Sequence, residues 1–196
     1  GYMIYFEATG PVTLDPYHYR SKPSWTILDQ NLLAAISAGG NCLFTSWTFV
    51  PNVAFKVPGS KVMSSIVTWL LTHTWLLIDW TVKMPKKLLK IHLPMLPHSK
   101  AIELATGMKM DFGKYYEVGN RGYNMERLYN LREGIDKTAD TLAKRFTEVE
   151  LIKGNRKTKV PLSKMLPKYY RLRGWDRDGI PRKKTLKKLG LDFLTR

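Results

Sequence analysis

The chain has 196 residues, a formal net charge of +16 and a single cysteine, Cys42. With 44% hydrophobic residues it can build a core, so wholesale disorder is excluded. One cysteine excludes an internal disulfide framework and any self-contained CxxC metal site, which fits a reducing, cytoplasmic setting.

Residues 1–23 are turn-rich, with Gly10-Pro11, Asp15-Pro16 and Lys22-Pro23. They read as a short strand or extended piece followed by a loop. The chain opens Gly1-Tyr2-Met3, without an initiator methionine, a basic n-region or a cleavage site. We therefore read it as part of something larger, with no signal peptide at its start. Within this loop His18 is the one candidate for a catalytic general base.

Ser24 is placed to cap a helix over residues 24–38, where Leu28, Leu32, Ala35 and Ile36 recur at helical spacing. Gly39 and Gly40 end it, because glycine adopts positive φ without strain. Cys42 follows on the turn. Residues 51–59 read as a second loop.

Residues 62–82 are strongly apolar, with Trp69, Leu70, Trp75, Leu76, Leu77, Ile78 and Trp80. The stretch is nearly long enough to cross a bilayer, but His73, Asp79 and several Ser/Thr residues oppose a simple span. Lys83, Lys86, Lys87 and Lys90 follow it, in the pattern of an interfacial anchor. The reading we favour is a buried helix packed against a missing domain or partner, with membrane contact as the alternative.

Further on, a short helix over residues 99–106 stops at Gly107. A longer one over about 111–132 is expected to break near Gly119 and Gly122. Residues 136–146 read as loop and turn, 162–172 as helix, and 185–189 as a last helical turn ended by Gly190. His92 and His98, six apart across two prolines, do not make a metal site with the other histidines. Between Lys153 and Arg196, fifteen lysines and arginines face three acids, a net +12. Such an end favours an anionic partner. Tyr169, Tyr170 and Trp175, set among basic residues, are read as packing rather than as a nucleic-acid surface.

Several segments resemble one family in order. Leu28-Asp29-Gln30-Asn31-Leu32-Leu33-Ala34-Ala35-Ile36-Ser37-Ala38-Gly39-Gly40-Asn41-Cys42-Leu43-Phe44-Thr45-Ser46 resembles the cysteine segment of the tungsten-containing aldehyde:ferredoxin oxidoreductases. Ala101-Ile102-Glu103-Leu104-Ala105-Thr106-Gly107 resembles the helix after it. Asn124-Met125-Glu126-Arg127-Leu128-Tyr129-Asn130-Leu131-Arg132-Glu133-Gly134, then Asp140-Thr141-Leu142-Ala143-Lys144-Arg145-Phe146, resembles the family's C-terminal signature. Tyr169-Tyr170-Arg171-Leu172-Arg173-Gly174-Trp175-Asp176 and Gly179-Ile180-Pro181 complete it.

The resemblance implies a mainly α fold: the C-terminal helical domains of such an enzyme, with an apolar helical insertion. It divides the chain into a cysteine-bearing, cofactor-closing segment (1–50), the insertion with its basic flank (51–98) and a helical region with a basic end (99–196). It implies Cys42 as the fourth ligand of a [4Fe-4S] cluster, which takes four thiolates. It implies Ser37, Gly40 and Asn41 as contacts to a tungsten (or molybdenum) bis-pterin. The family carries aspartate where Ser37 stands and leucine where Asn41 stands.

The implied partners are the missing N-terminal domains, or a separate subunit carrying them, and a ferredoxin-like electron carrier. The implied reaction is oxidation of aldehydes to carboxylates. Two alternatives stand beside it. One is ring reduction of an acyl-coenzyme A within the same family. The other is a non-catalytic basic scaffold or anchoring subunit on an anionic partner or membrane surface.

Overall fold

The computed structural model describes residues 19–42, 73–83, 90–92 and 97–195, together with helical residues 62, 65, 66, 69 and 70. It is mainly helical. Among the described residues no strand forms, and the one extended pairing is an isolated antiparallel bridge between Trp175 and Pro181.

Helix α1 spans Lys22–Ala38. It begins two residues before the expected cap, because Pro23 lies in the first turn, where its missing N–H leaves no helical bond unmade. Ser21 holds the N-cap position without a side-chain cap. The Ser24 hydroxyl instead donates to Asp79 Oδ1 of helix α2 (Trp75–Lys83). A partner 55 residues away has displaced the local capping role.

Helix α2 is fastened by its inner face. Ile78 and Val82 pack on Ile27 of α1 and on Leu172. Asp79 also pairs with Lys168 Nζ at 3.0 Å, both side chains being largely buried. The same ammonium donates to Arg20 O at 2.7 Å and lies 4.6 Å from the Trp75 ring centre. The inner face of α2 therefore packs on this chain's own helices. No helix among the described residues is long and apolar enough to cross a membrane.

Helix α3 (His98–Thr106) stops where Gly107 turns left-handed, at φ 72°. Helix α4 (Phe112–Arg132) starts at Asp111, whose carboxylate accepts the Lys114 N–H at 2.8 Å, a side-chain N-cap. It then runs 21 residues without the expected break at Gly119 and Gly122. The first glycine serves packing instead. A Cβ at Gly119 would stand 1.7 Å from Asn31 O and 2.9 Å from Ala35 N. Only a bare α-carbon lets α1 and α4 cross this closely. Ala35, Ile36 and Tyr115 form the core of that crossing, with Leu32, Ile102 and Met110 around them.

The 136–146 stretch is more ordered than a loop. Asp136 caps a 3-10 turn, Lys137–Ala139, and the short helix α5 (Lys144–Thr147) begins inside it. Helix α6 (Leu162–Arg173) lies on α1. Tyr169 donates to Gln30 at 2.7 Å, and Arg173 reaches both Gln30 and Asn31. Helix α7 (Lys183–Leu189) closes the far end. Its Leu186 and Leu189 pack with Leu191 and with Leu128 of α4.

Candidate functional site: the Cys42 turn

Cys42 sits three residues beyond the Gly39 cap of α1, so the way α1 ends fixes what this site can offer. Gly40 turns left-handed at φ 67°. The Gly40 N–H donates to Ser37 O at 3.0 Å, and the Asn41 N–H donates to Ile36 O at 3.1 Å. These two bonds make a Schellman motif. They use the backbone donors of Gly40 and Asn41 internally. The Asn41 side chain also folds back, donating to Gly39 O at 3.1 Å.

What the turn leaves accessible is narrower than the sequence suggests. Cys42 is exposed, and Ser37 is exposed one turn behind it. A Cβ built at Gly40 would meet nothing within 4 Å, so its α-carbon faces open space that a ligand could approach. Gly39 is different: a Cβ there would stand 3.1 Å from Ile102 Cδ1, so α3 backs the turn on that side. The last turn of α1 carries no basic residue, and the partial negative charge of its C-terminus is not neutralised from within the helix.

Beneath this end of α1 lie buried polar groups. Tyr115 packs on Ala35 and Ile36, and the His98 ring stacks on it, with centroids 6.3 Å apart. Burial pushes the His98 imidazole below its ordinary range and the Tyr115 hydroxyl above its own. Tyr115 Oη and Ser99 Oγ are buried without a hydrogen-bond partner. Each such group costs roughly 1–3 kcal/mol.

The predicted site residues Ser37, Gly40, Asn41 and Cys42 thus share one turn. His18 lies outside the described residues. No group of three metal-ligating side chains forms among the described residues. The donor chemistry fits a shared cluster all the same: one exposed thiol on a rigid turn can supply one of four thiolates, never all four.

A second polar centre lies elsewhere, and the sequence did not reveal its partners. Arg127 of α4 is buried and grips Asp140 with both terminal nitrogens, at 3.1 and 2.7 Å. Its Nε donates to Gly179 O at 2.9 Å, and its guanidinium lies 5.1 Å from the Trp175 ring centre. Tyr170 donates to the same carboxylate. Trp175 Nε1 donates to Asn124 Oδ1 at 2.8 Å, so these aromatics serve packing, as expected. A cavity of about 660 Å3 borders this centre, lined by Leu166, Tyr170, Arg171, Trp175, Arg177 and Arg182 among others. Of the predicted site residues, Ser37, Gly40, Asn41 and Cys42 are not among its lining residues.

Residues 1–191 match the family model described as aldehyde ferredoxin oxidoreductase, domains 2 and 3. The tungsten-containing aldehyde ferredoxin oxidoreductase of Pyrococcus horikoshii is 33% identical over 196 residues, covering 97% of this chain and 25% of that protein. The enzyme of the same name from Thermococcus kodakarensis is 32% identical over 199 residues, covering 98% of this chain and 26% of its own length. The one from Pyrococcus furiosus is 31% identical, with 97% and 25% covered. The chain thus spans about a quarter of the length of these relatives.

Proposed function

We propose a role that proceeds from the family of this chain: it belongs to the aldehyde ferredoxin oxidoreductases, an oxidoreductase family, and corresponds to their domains 2 and 3. In this reading the chain closes the cofactor site of an assembled enzyme, and Cys42 supplies one thiolate to a [4Fe-4S] cluster. The other three come from upstream domains or from a separate subunit, which also carry a tungsten (or molybdenum) bis-pterin. When bound, that centre supplies the two-electron chemistry that aldehyde oxidation to a carboxylate requires, with a ferredoxin-like carrier taking the electrons.

One observation carries the reading: the single cysteine is exposed on a turn whose backbone is already hydrogen-bonded to its helix. A thiol held this way needs no rearrangement to reach an external ligand sphere, which is the advantage of preorganisation. Ser37 is exposed on the last turn of α1, just before the same turn. Gly40 lets a bulky group approach its α-carbon. Asn41 keeps its side chain on Gly39 O and so stiffens the turn, rather than donating to a pterin through its backbone N–H.

The test is metal analysis with electron paramagnetic resonance on the native assembly, prepared anaerobically, beside a Cys42→Ala version. Tungsten or molybdenum with a reducible cluster signal that is lost or altered in the variant is the expected result. An unchanged cluster in Cys42→Ala refutes the ligand role. The absence of both metal and cluster from native material refutes the enzyme reading.

A further inference from the structure

Helix α2 has two apolar faces, and only one is used by the fold. Ile78 and Val82 face the core. Leu76, Leu77 and Trp80 of α2 are exposed, as are the helical residues Trp69 and Leu70 that precede it, each by 43% or more. Within α2, Leu76, Leu77 and Trp80 fall at i, i+3 and i+4 spacing and trace one stripe.

The polar groups along the stripe are turned away from anything that would touch it. Thr74 Oγ1 donates to Leu70 O at 2.6 Å, and Thr81 Oγ1 donates to Leu77 O at 2.9 Å. His73 Nδ1 lies 2.9 Å from Trp69 O, with its ring stacked on Trp69 at 4.9 Å. Asp79, the acid of α2, is held on the inner face by Ser24 and Lys168. Thr74, Thr81 and one His73 nitrogen thus meet their hydrogen bonds within the helix, and the donors left on the outer face include the indole N–H groups of Trp69 and Trp80, which suit the headgroup region.

Charge lies at one end of the stripe. Lys83 ends α2 and is exposed. Lys188 Nζ of α7 donates to Lys83 O at 3.3 Å, which places this ammonium at that end. Lys183, Lys184, Lys187 and Lys188 of α7 are all exposed, and α7 contains no acid. A tryptophan- and leucine-bearing face with lysines beside it matches a helix lying in the headgroup region of an anionic bilayer.

We propose that the outer face of α2, together with the lysines of α7, binds an anionic lipid surface. Trp69, Leu77 and Trp80 enter the boundary between headgroups and acyl chains, and the lysines meet lipid phosphates. Binding is peripheral, and it stands independently of Cys42 and any cluster.

The experiment is flotation of the native assembly with two kinds of vesicle: phosphatidylcholine alone, and phosphatidylcholine mixed with phosphatidylglycerol. We expect retention on the mixed vesicles only, weakened by added salt. Lys187→Gln with Lys188→Gln should weaken it by about an order of magnitude or more. Leu77→Asp with Trp80→Asp should abolish it, and unchanged circular dichroism verifies that the variant is folded. Brominated acyl chains should quench tryptophan emission less in a Trp80→Phe variant than in the parent. No retention at low salt overturns the proposal, as does binding indifferent to the Leu77 and Trp80 changes. Crosslinks from position 77 to another protein of the assembly also overturn it, assigning the face to a protein partner.

Discussion

Gly119 and Gly122 lie on one helix, three residues apart, and the same substitution should have opposite effects at the two. In a solvated helix interior, glycine to alanine is favourable by about 1 kcal/mol. At Gly122 the new methyl would meet Ala34 Cβ at 3.9 Å, an ordinary contact. Gly122→Ala should therefore stabilise the protein by up to about 1 kcal/mol, raising Tm by about 2–4 °C. At Gly119 the methyl would fall 1.7 Å from Asn31 O, 2.6 Å from Asn31 C and 2.9 Å from Ala35 N. These atoms belong to the backbone of α1, so no rotamer change can relieve the overlap.

The two helices must separate locally, which loosens Ala35 and Ile36 from Tyr115 and strains the Arg173 bonds to Gln30 and Asn31. Overpacking of this kind costs about 1–3 kcal/mol, and the disrupted polar contacts add to it. Set against the propensity gain, the net loss for Gly119→Ala should be about 2–3 kcal/mol, a fall in Tm of about 5–10 °C. Thermal unfolding followed by circular dichroism, with both variants run beside the parent, measures this. On the proposed role of Cys42, the displaced end of α1 should also lower iron content in the native assembly for Gly119→Ala alone. Equal stabilisation by both substitutions would refute the close crossing of α1 and α4.

Two other variants probe the buried polar groups. Arg127→Met strands Asp140 and Gly179 O beside Tyr170. Breaking one side of a buried ion pair should cost about 3 kcal/mol, read as a fall in the denaturant midpoint, and a loss below about 1 kcal/mol would place that pair among weak surface bridges. His98 gives a pH dependence. Burial lowers its folded pKa below the ordinary 6.5, so the unfolded chain takes up the proton first. The stability it contributes is complete above pH 6.5 and is lost as pH falls below that value toward the folded pKa. Unfolding free energies measured down from neutral pH should show this slope, and His98→Gln should flatten it.

The sequence by itself determined what depends on neighbouring residues. Gly40, Gly107 and Gly190 end α1, α3 and α7 as expected, because a left-handed cap is a property of the glycine and the turn before it. Asp111 lies at the start of α4 for a similarly local reason, its carboxylate reaching an N–H three residues on. The turn bearing Ser37, Gly40, Asn41 and Cys42 could be located for that reason too, and its family could be read from ordered motifs.

Tertiary structure decided whatever depends on a distant partner. Ser24 reads as a cap until Asp79 arrives from 55 residues away. Gly119 reads as a break until the backbone of α1 lies against it. Arg127 carries no sign in sequence of which acid it will hold, and it takes Asp140 and Gly179 O together. The apolar run at 62–82 does not disclose which side is core, because both faces are hydrophobic. The Asp79–Lys168 pair and the packing of Val82 on Ile27 and Leu172 turn one side inward. Even at the Cys42 turn, the direction of the backbone donors became clear only once the helix had closed over them. Burial and pairing belong to the packed chain, where segments far apart in sequence compete for the same atoms.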